Sequence, residues 1–438
     1  MAISPIQLLK QASPALRRTL LAAALGWMLD AFDAMLYALV LTYVMRDLGM
    51  SKATSGLLYT LTLLASGIGG VFFGFLADRI GRKRALMLSI LTYSICSFFS
   101  GLSTTVLMLA VCRFILGLGM GGEWNTGATL VAETWPDELR AKALSVVQSS
   151  WAIGYALAAL VAGIVLRYAN WRMVFFVGIL PAVVTLWIQS RVPESQMWLE
   201  QSKATPHNVV SHETLREDGA DSSRTGVFAP HDQGSDSFFL IFRAPYGKST
   251  MVLLLLNFFG LFGWWGLFTW IPPYLSLPVE QGGRGFGIMG TTTLLIVLNL
   301  FGMFPGYLSF GWVADHLGRR KSFMLYTFAA ALLVPLYAIA RSQVVLLVAG
   351  TIIAFFATGF FSGSGIIGSE IFPTRVRARA LGFTYNGART MSSVAPYIIG
   401  RVGQTKGLGW AFYLCGAAFL LASLMATQLP ETKGKRLE

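Results

Sequence analysis

Apolar residues in this chain come in long unbroken blocks rather than in alternation with polar ones. A helix needs about 20 apolar residues to cross the hydrocarbon core of a bilayer. Twelve blocks approach or exceed that length: 19–45, 54–77, 85–104, 106–130, 143–166, 171–190, 250–271, 288–313, 321–340, 343–368, 378–400 and 408–429. The alternation of a membrane strand is missing, so each block is predicted as a helix. The first is too long for a removable leader and contains Asp30 and Asp33, so it is expected to stay as a membrane helix. One long polar segment, 192–248, breaks the series. Rich in Ser, His, Asp and Glu, it cannot bury a core and reads as a tether between 1–191 and 249–438, with a short surface helix near 195–203.

The blocks are punctuated by a loop that occurs twice. Gly74-Phe-Leu-Ala-Asp78-Arg79-Ile-Gly81-Arg82-Lys83-Arg84 returns 237 residues later as Gly311-Trp-Val-Ala-Asp315-His316-Leu-Gly318-Arg319-Arg320-Lys321. The same offset relates Glu133 and Pro136 to Glu370 and Pro373, Arg140 to Arg377, and Pro193-Glu194 to Pro430-Glu431. Three signatures sharing one offset make the chain two homologous halves of six helices each.

Composition agrees with a membrane protein. The chain is 55% apolar and only 13% charged, with a mean hydropathy of +0.61, whereas soluble domains carry roughly a quarter charged residues. The net charge of +13 suggests a nucleic-acid partner until its distribution is read. With a cytoplasmic N-terminus, 24 of the 34 Lys and Arg fall on the cytoplasmic side and 8 outside, while Arg113 and Arg389 lie within helices. This is the positive-inside bias, and it predicts that both termini are cytoplasmic. Cys96, Cys112 and Cys415 are isolated in apolar runs, and the four histidines lie in the linker or a loop. No nucleophile–base or metal-ligand spacing emerges, so neither an enzyme nor a bound cofactor or metal is expected.

Ionisable groups within membrane helices are costly and mark pathways or partners. Asp30 and Asp33 stand three residues apart on the first helix, a spacing that places both carboxylates on one face. At about 1.5 Å of rise per residue, Arg113 reaches the depth of Asp33, which makes an Asp33–Arg113 pair geometrically accessible. Two readings follow: a proton site whose acidity the neighbouring charges tune, or a fixed salt bridge between helices 1 and 4. Arg389 has no acid of its own half nearby in sequence, so its counter-ion is either an anionic substrate or backbone carbonyls. Arg113 is the second candidate for an anion. Glu123 is a further proton acceptor, a gate residue or a hydrogen-bonded structural group. Gln148, Asn257, Asn299 and Asn386 either line a cavity or join helices. Helix 7 is dense in aromatics, and these are expected mostly to face lipid, with Trp270 at the interface. Glycines 117, 119, 121 and 122, and glycines 359, 363, 365 and 368, are expected to let helices 4 and 10 approach their neighbours closely.

The doubled Gly-x-x-x-Asp-x-x-Gly-Arg-[Lys/Arg]-[Lys/Arg] loop, with Arg113-x-x-x-Gly-x-Gly, resembles the major facilitator superfamily of transporters over nearly the whole chain. The Pro-Glu-Ser and Pro-Glu-Thr-Lys-Gly segments resemble its sugar- and metabolite-porter side. Asp30-x-x-Asp33 is similar to the signature of proton-coupled carriers for aromatic acids and sialic acid. Gly119-Met-Gly-Gly-Glu123-Trp-Asn125 is similar to sialic-acid and monocarboxylate symporters, although the polar linker leaves no room for that branch's two extra membrane segments. The resemblance implies an all-α polytopic protein of twelve transmembrane helices in two six-helix bundles that rock about a central site. It implies proton-coupled import of a small organic anion, a monocarboxylate or acidic sugar, across a bacterial inner membrane by a monomer. A proton-coupled exporter or an aromatic-acid or sugar porter is the alternative. The resemblance also assigns Asp78, Arg82, Glu133 and Arg140, with Asp315, Arg319, Glu370 and Arg377, to two charge networks at the seam between the halves. There they latch the cytoplasmic face while the outside is open.

Overall fold

The computed structural model describes residues 12–204, 238–372 and 380–433. The N-terminal half holds α1 (Pro14–Asp47), α2 (Lys52–Ile80), α3 (Arg82–Gly101), α4 (Val106–Thr134), α5 (Asp137–Tyr168) and α6 (Trp171–Arg191). A short helix, Gln196–Ala204, follows where the linker begins. The C-terminal half holds α7 (Gly247–Ser276), α8 (Ile288–Leu317), α9 (Arg319–Ile339), α10 (Gln343–Ile371), α11 (380–406) and α12 (Leu408–Ala426). Eleven of these are long and apolar enough to cross a bilayer. The exception is α11, which is wound as a π-helix at Phe383–Gly387 and interrupted after Ser392. A second π turn, Leu298–Met303, interrupts α8. Such turns commonly mark functional positions.

Helix starts follow from short polar side chains. Ser13, Ser51 and Thr105 each accept a hydrogen bond from a first-turn amide of α1, α2 and α4, and Asn170 does the same for α6. The duplicated loops use another device. α3 and α9 begin at Gly81 and Gly318, whose φ values of 100° and 96° strain any residue with a side chain. A Cβ at either position would also fall on a carboxylate, that of Glu194 or Glu431. Those carboxylates come from the two Pro-Glu segments and accept from the exposed helix amides, Lys83 N at 3.1 Å and Arg319 N at 2.8 Å. Trp198 of the linker helix reinforces the first loop by donating to Asp78 O at 2.8 Å.

Glycines set the helix spacing, though on two sides of α4 rather than one. Gly117 and Gly121 face the backbone of α2 at Thr62 and Ser66, whereas Gly119 faces α3 at Ser89 and Tyr93. On α10, Gly359 meets Tyr326 of α9 and Gly363 meets Phe310 and Phe323 of α8 and α9.

The halves are joined at the face opposite the duplicated loops. Lys52 Nζ donates to Gln281 O at 2.8 Å and to Gly403 O at 3.4 Å, and Ala53 N donates to Gln404 Oε1. Gly56 and Gly400 allow α2 and α11 to touch through backbone at Pro396 and Lys52. Deeper in, Tyr155 Oη donates to Phe268 O at 3.2 Å and the Tyr59 and Trp265 rings lie 6.0 Å apart. On the far side of this seal a vestibule of about 830 Å³ opens between α1, α5, α8 and the α7–α8 loop. The structure is therefore closed on the face opposite the duplicated loops.

Candidate functional site

Beneath the seal, both halves contribute to a central cavity of only about 20 Å³ of free volume, room for little more than one water. Its walls are Trp27, Gln148 and Trp151 from the N-terminal half, and Trp264, Trp265, Tyr307, Phe361, Tyr385 and Arg389 from the other. The indoles form a continuous cluster. Trp27 lies 4.8 Å from Trp151 and 4.6 Å from Trp124, Trp151 lies 6.0 Å from both Trp264 and Trp265, and Trp264 lies 5.5 Å from Phe361. Helix 7 aromatics thus face inward more than the sequence suggests, because α7 is buried along most of its length. Trp270 is no interfacial anchor: it is buried and donates to Pro396 O on α11 at 2.9 Å.

The polar atoms around this cavity are mostly donors without acceptors. Nε1 of Trp27, Trp151, Trp264 and Trp265 and the Nε and Nη2 of Arg389 are buried with no hydrogen-bond partner among the described residues. Gln148 Oε1 is likewise unpartnered. Buried donors that lack partners each cost about 1–3 kcal/mol. A ligand rich in acceptor oxygens would recover that cost.

Asp30 and Asp33 lie within electrostatic range of one another, as their spacing predicts, but they differ in their other partners. Asp33 turns toward the interior of its own half, where Ser97 Oγ donates to its Oδ1 at 2.8 Å and Gly178 leaves it room. Arg113 lies within electrostatic range of Asp33, but no hydrogen bond joins them. The guanidinium is fully buried and sits 4.9 Å over the Tyr37 ring instead. It does not line the central cavity. Asp30 belongs with Glu123 of α4, and both lie within electrostatic range of Arg389.

The amides separate likewise. Gln148 lines the cavity. Asn257 joins helices instead: it donates to Thr384 O at 3.2 Å and accepts from Ser364. Asn299 donates to Leu295 O within its own helix at the π turn, and Asn386 is exposed. Neither lines the central cavity.

The duplicated charges form matching sites, each within one half rather than across the seam. Arg82 binds Asp78 at 2.7 Å and Glu133 at 2.9 Å, and Arg319 binds Asp315 at 2.9 Å and Glu370 at 2.8 Å. Thr432 Oγ1 also donates to Glu370. Both sites are intact although the opposite face is closed, so they clamp α2 to α3 and α4, and α8 to α9 and α10, within a half. Arg140 is half-buried nearby in sequence, while Arg377 and most of the linker lie outside the described residues.

Sequence reasoning missed Trp27, Trp151, Tyr307 and Tyr385 as cavity walls. The signal was present in two forms. Trp27, Trp151 and Tyr385 stand three or four residues from Asp30, Gln148 and Arg389, on the same helix faces. The repeat offset of 237 also pairs Trp27 with Trp264 and Gln148 with Tyr385, so the cavity's frame is itself duplicated.

Comparison with known proteins places this arrangement. The family model for sugar (and other) transporters matches residues 13–438. A sialic acid transporter of Escherichia coli is 31% identical over 432 residues, covering 96% of each chain. A cis,cis-muconate transport protein of Acinetobacter baylyi is 30% identical over 404 residues, covering 92% of this chain and 91% of that one. A crystal structure of a D-xylose–proton symporter superposes with a TM-score of 0.76 at 18% identity, covering 97% of this chain and all of the other, and so shares the fold.

Proposed function

Because this chain belongs to the sugar (and other) transporter family, we propose that it is a proton-coupled importer of a small organic carboxylate with a flat unsaturated body. One observation carries this reading. Four tryptophans with unpartnered indole N–H groups, and Arg389 with an unpartnered guanidinium edge, line a single largely aromatic cavity. A guanidinium holds a carboxylate bidentately. The indoles stack on a planar body and donate to its remaining oxygens. That both relatives are transporters of acids supports the same cargo class.

Asp30, Asp33 and Glu123 are the groups that can carry the proton, because they are the carboxylates buried at mid-membrane. Alternating access is the mechanism: the halves rock about the Arg389 cavity, and the Lys52 seal parts when the outside opens. The cavity must widen to load, since its present free volume cannot hold a carboxylic acid. The positive-inside distribution supports an inner-membrane protein with both termini in the cytoplasm.

The test is uptake into proteoliposomes of benzoate, cyclohexanecarboxylate, cis,cis-muconate and sialic acid, with and without an inward proton gradient. Flat acids are expected to enter, faster with the gradient, and the puckered cyclohexane acid more slowly. Uptake indifferent to the gradient overturns symport. Preference for sialic acid replaces the flat acid with an acidic sugar, whose apolar ring face also stacks on indole.

A further inference from the structure

We propose that Asp30 and Glu123 share one proton in the empty carrier and serve as the internal counter-charge of Arg389, so that cargo loading is electroneutral with one proton per monocarboxylate. This rests on the carboxylate reading above.

The cluster is built by the helices rather than met by chance. Glu123 is 1% exposed and Asp30 is fully buried. None of their four carboxylate oxygens accepts a hydrogen bond from a described residue. Glu123 reaches α1 because position 26 is glycine: a Cβ there would fall on its Oε1. Gly26 and Asp30 are four residues apart on α1, so the seat of one acid and the other acid share a helix face. Arg389 lies within electrostatic range of both, with Nε and Nη2 unpartnered.

Charge balance then sets the stoichiometry. Two bare carboxylates facing one guanidinium leave a buried excess negative charge, which is expensive in a dry site. One shared proton restores neutrality in the empty carrier. A cargo carboxylate that takes over Arg389 adds one negative charge, and a second proton on the pair removes it. The other groups facing this cluster do not change the count. Tyr59 of α2, Tyr93 of α3 and Tyr385 of α11 interact electrostatically with its members, and phenols are neutral at physiological pH. Asp33 lies within electrostatic range of Asp30, but Arg113 lies within its range too and balances its charge. In the loading step no covalent bond changes. A proton moves from water to the Asp30–Glu123 pair as the cargo oxygens replace that pair at Arg389.

Two measurements test this. Infrared difference spectra of the cargo-free protein between acidic and alkaline buffer are expected to show a protonated-carboxyl band that Glu123→Gln and Asp30→Asn each remove and Asp33→Asn retains. In proteoliposomes, the double variant Asp30→Asn/Glu123→Gln is expected to lose gradient-driven benzoate accumulation, because either acid alone still takes up the cargo's proton, and in the wild type an imposed membrane potential alone is expected to drive no uptake. A band that survives in both Glu123→Gln and Asp30→Asn overturns the proposal. So does undiminished accumulation by the double variant, or uptake driven by potential. Should the double variant fail to purify, the infrared band in the two single variants and the membrane-potential test still decide. Wild-type protein that moves none of the acids fails the carboxylate reading instead, and the infrared band then decides the shared proton by itself.

Discussion

The two halves of this molecule agree at the rims that carry the duplicated loops and differ at their centres. At the rims, Arg82 with Asp78 and Glu133 and Arg319 with Asp315 and Glu370 repeat the same contacts to within about 0.2 Å. At the centres, Asp30, Asp33 and Glu123 have Leu267, Trp270 and Phe360 as their counterparts, and Arg389 has Ala152. Identical clamps suit a shared scaffold, because each holds three helices of its own half together. A cargo site needs asymmetry, because one anion and one proton path cannot be duplicated. The aromatic frame lies between these cases: Trp27 and Trp264 are mates, while the charges set upon them are not.

The largest test of this contrast is Arg389→Ala. It removes the one cavity cation and is expected to weaken carboxylate binding by about 100-fold or more, equivalent to at least about 3 kcal/mol. Quenching of the surrounding tryptophans by benzoate would measure it. Unchanged affinity would place the anion elsewhere.

Next come Arg82→Ala and Arg319→Ala. Each strands a largely buried glutamate, whose side chain is 17% exposed for Glu133 and 11% for Glu370. Losing one partner of such a pair costs about 3 kcal/mol, and equal losses are expected by thermal unfolding in detergent. A large inequality would show that only one clamp is structural.

Gly26→Ala and Gly263→Ala occupy the same position in the two halves with different neighbours. A methyl group meets the Glu123 carboxylate in the first and the Phe419 ring in the second. Both should cost about 1–3 kcal/mol in overpacking. Only Gly26→Ala should also alter the pH dependence of uptake, and a pH shift in both would contradict the placement of Glu123. At the outer seal, Lys52→Met removes two contacts to the opposite half. At about 1 kcal/mol, it is expected to raise maleimide labelling of a Gln148→Cys reporter in the central cavity about fivefold.

The smallest effect concerns the caps. Burial pushes the Glu431 carboxyl up, but backbone amides of Arg319, Lys433, Arg320 and Thr432 outweigh it and hold it below the usual glutamate value. Its stabilisation is therefore present above the unfolded-state pKa and fades as pH falls through the lower folded value. Glu431→Gln should cost under about 1 kcal/mol near neutral pH and nothing in strong acid, as unfolding titrations would show.

The fold was readable from the sequence because its signals are local: block length, caps and a repeated loop. Helix 11 was the hardest to delimit. Its π turn and its interruption after Ser392 depend on packing against α7, which no block pattern encodes. The rim charges were readable as a set but not as intra-half clamps. That distinction requires knowing that α4 returns beside α2 and α3. The centre was half legible. Buried charges announce themselves by their cost, so Asp30, Glu123 and Arg389 stood out. The room for Glu123 beside α1 comes from a missing methyl at Gly26, which the sequence of α4 does not reveal, so three-residue spacing alone pairs Asp30 with Asp33 and leaves Glu123 out. Trp27 and Trp151 were hidden because apolar context makes an indole in a membrane helix look like packing.

The narrow central cavity has an osmotic consequence. A carrier that returned empty with an open, wetted chamber would ferry many waters and stray ions on every idle stroke, and would run down the gradient that drives it. Here the indoles pack against one another around a cavity with room for about one water. A conformation packed this tightly carries almost no solvent across, so the tryptophans around Arg389 also insulate the pathway.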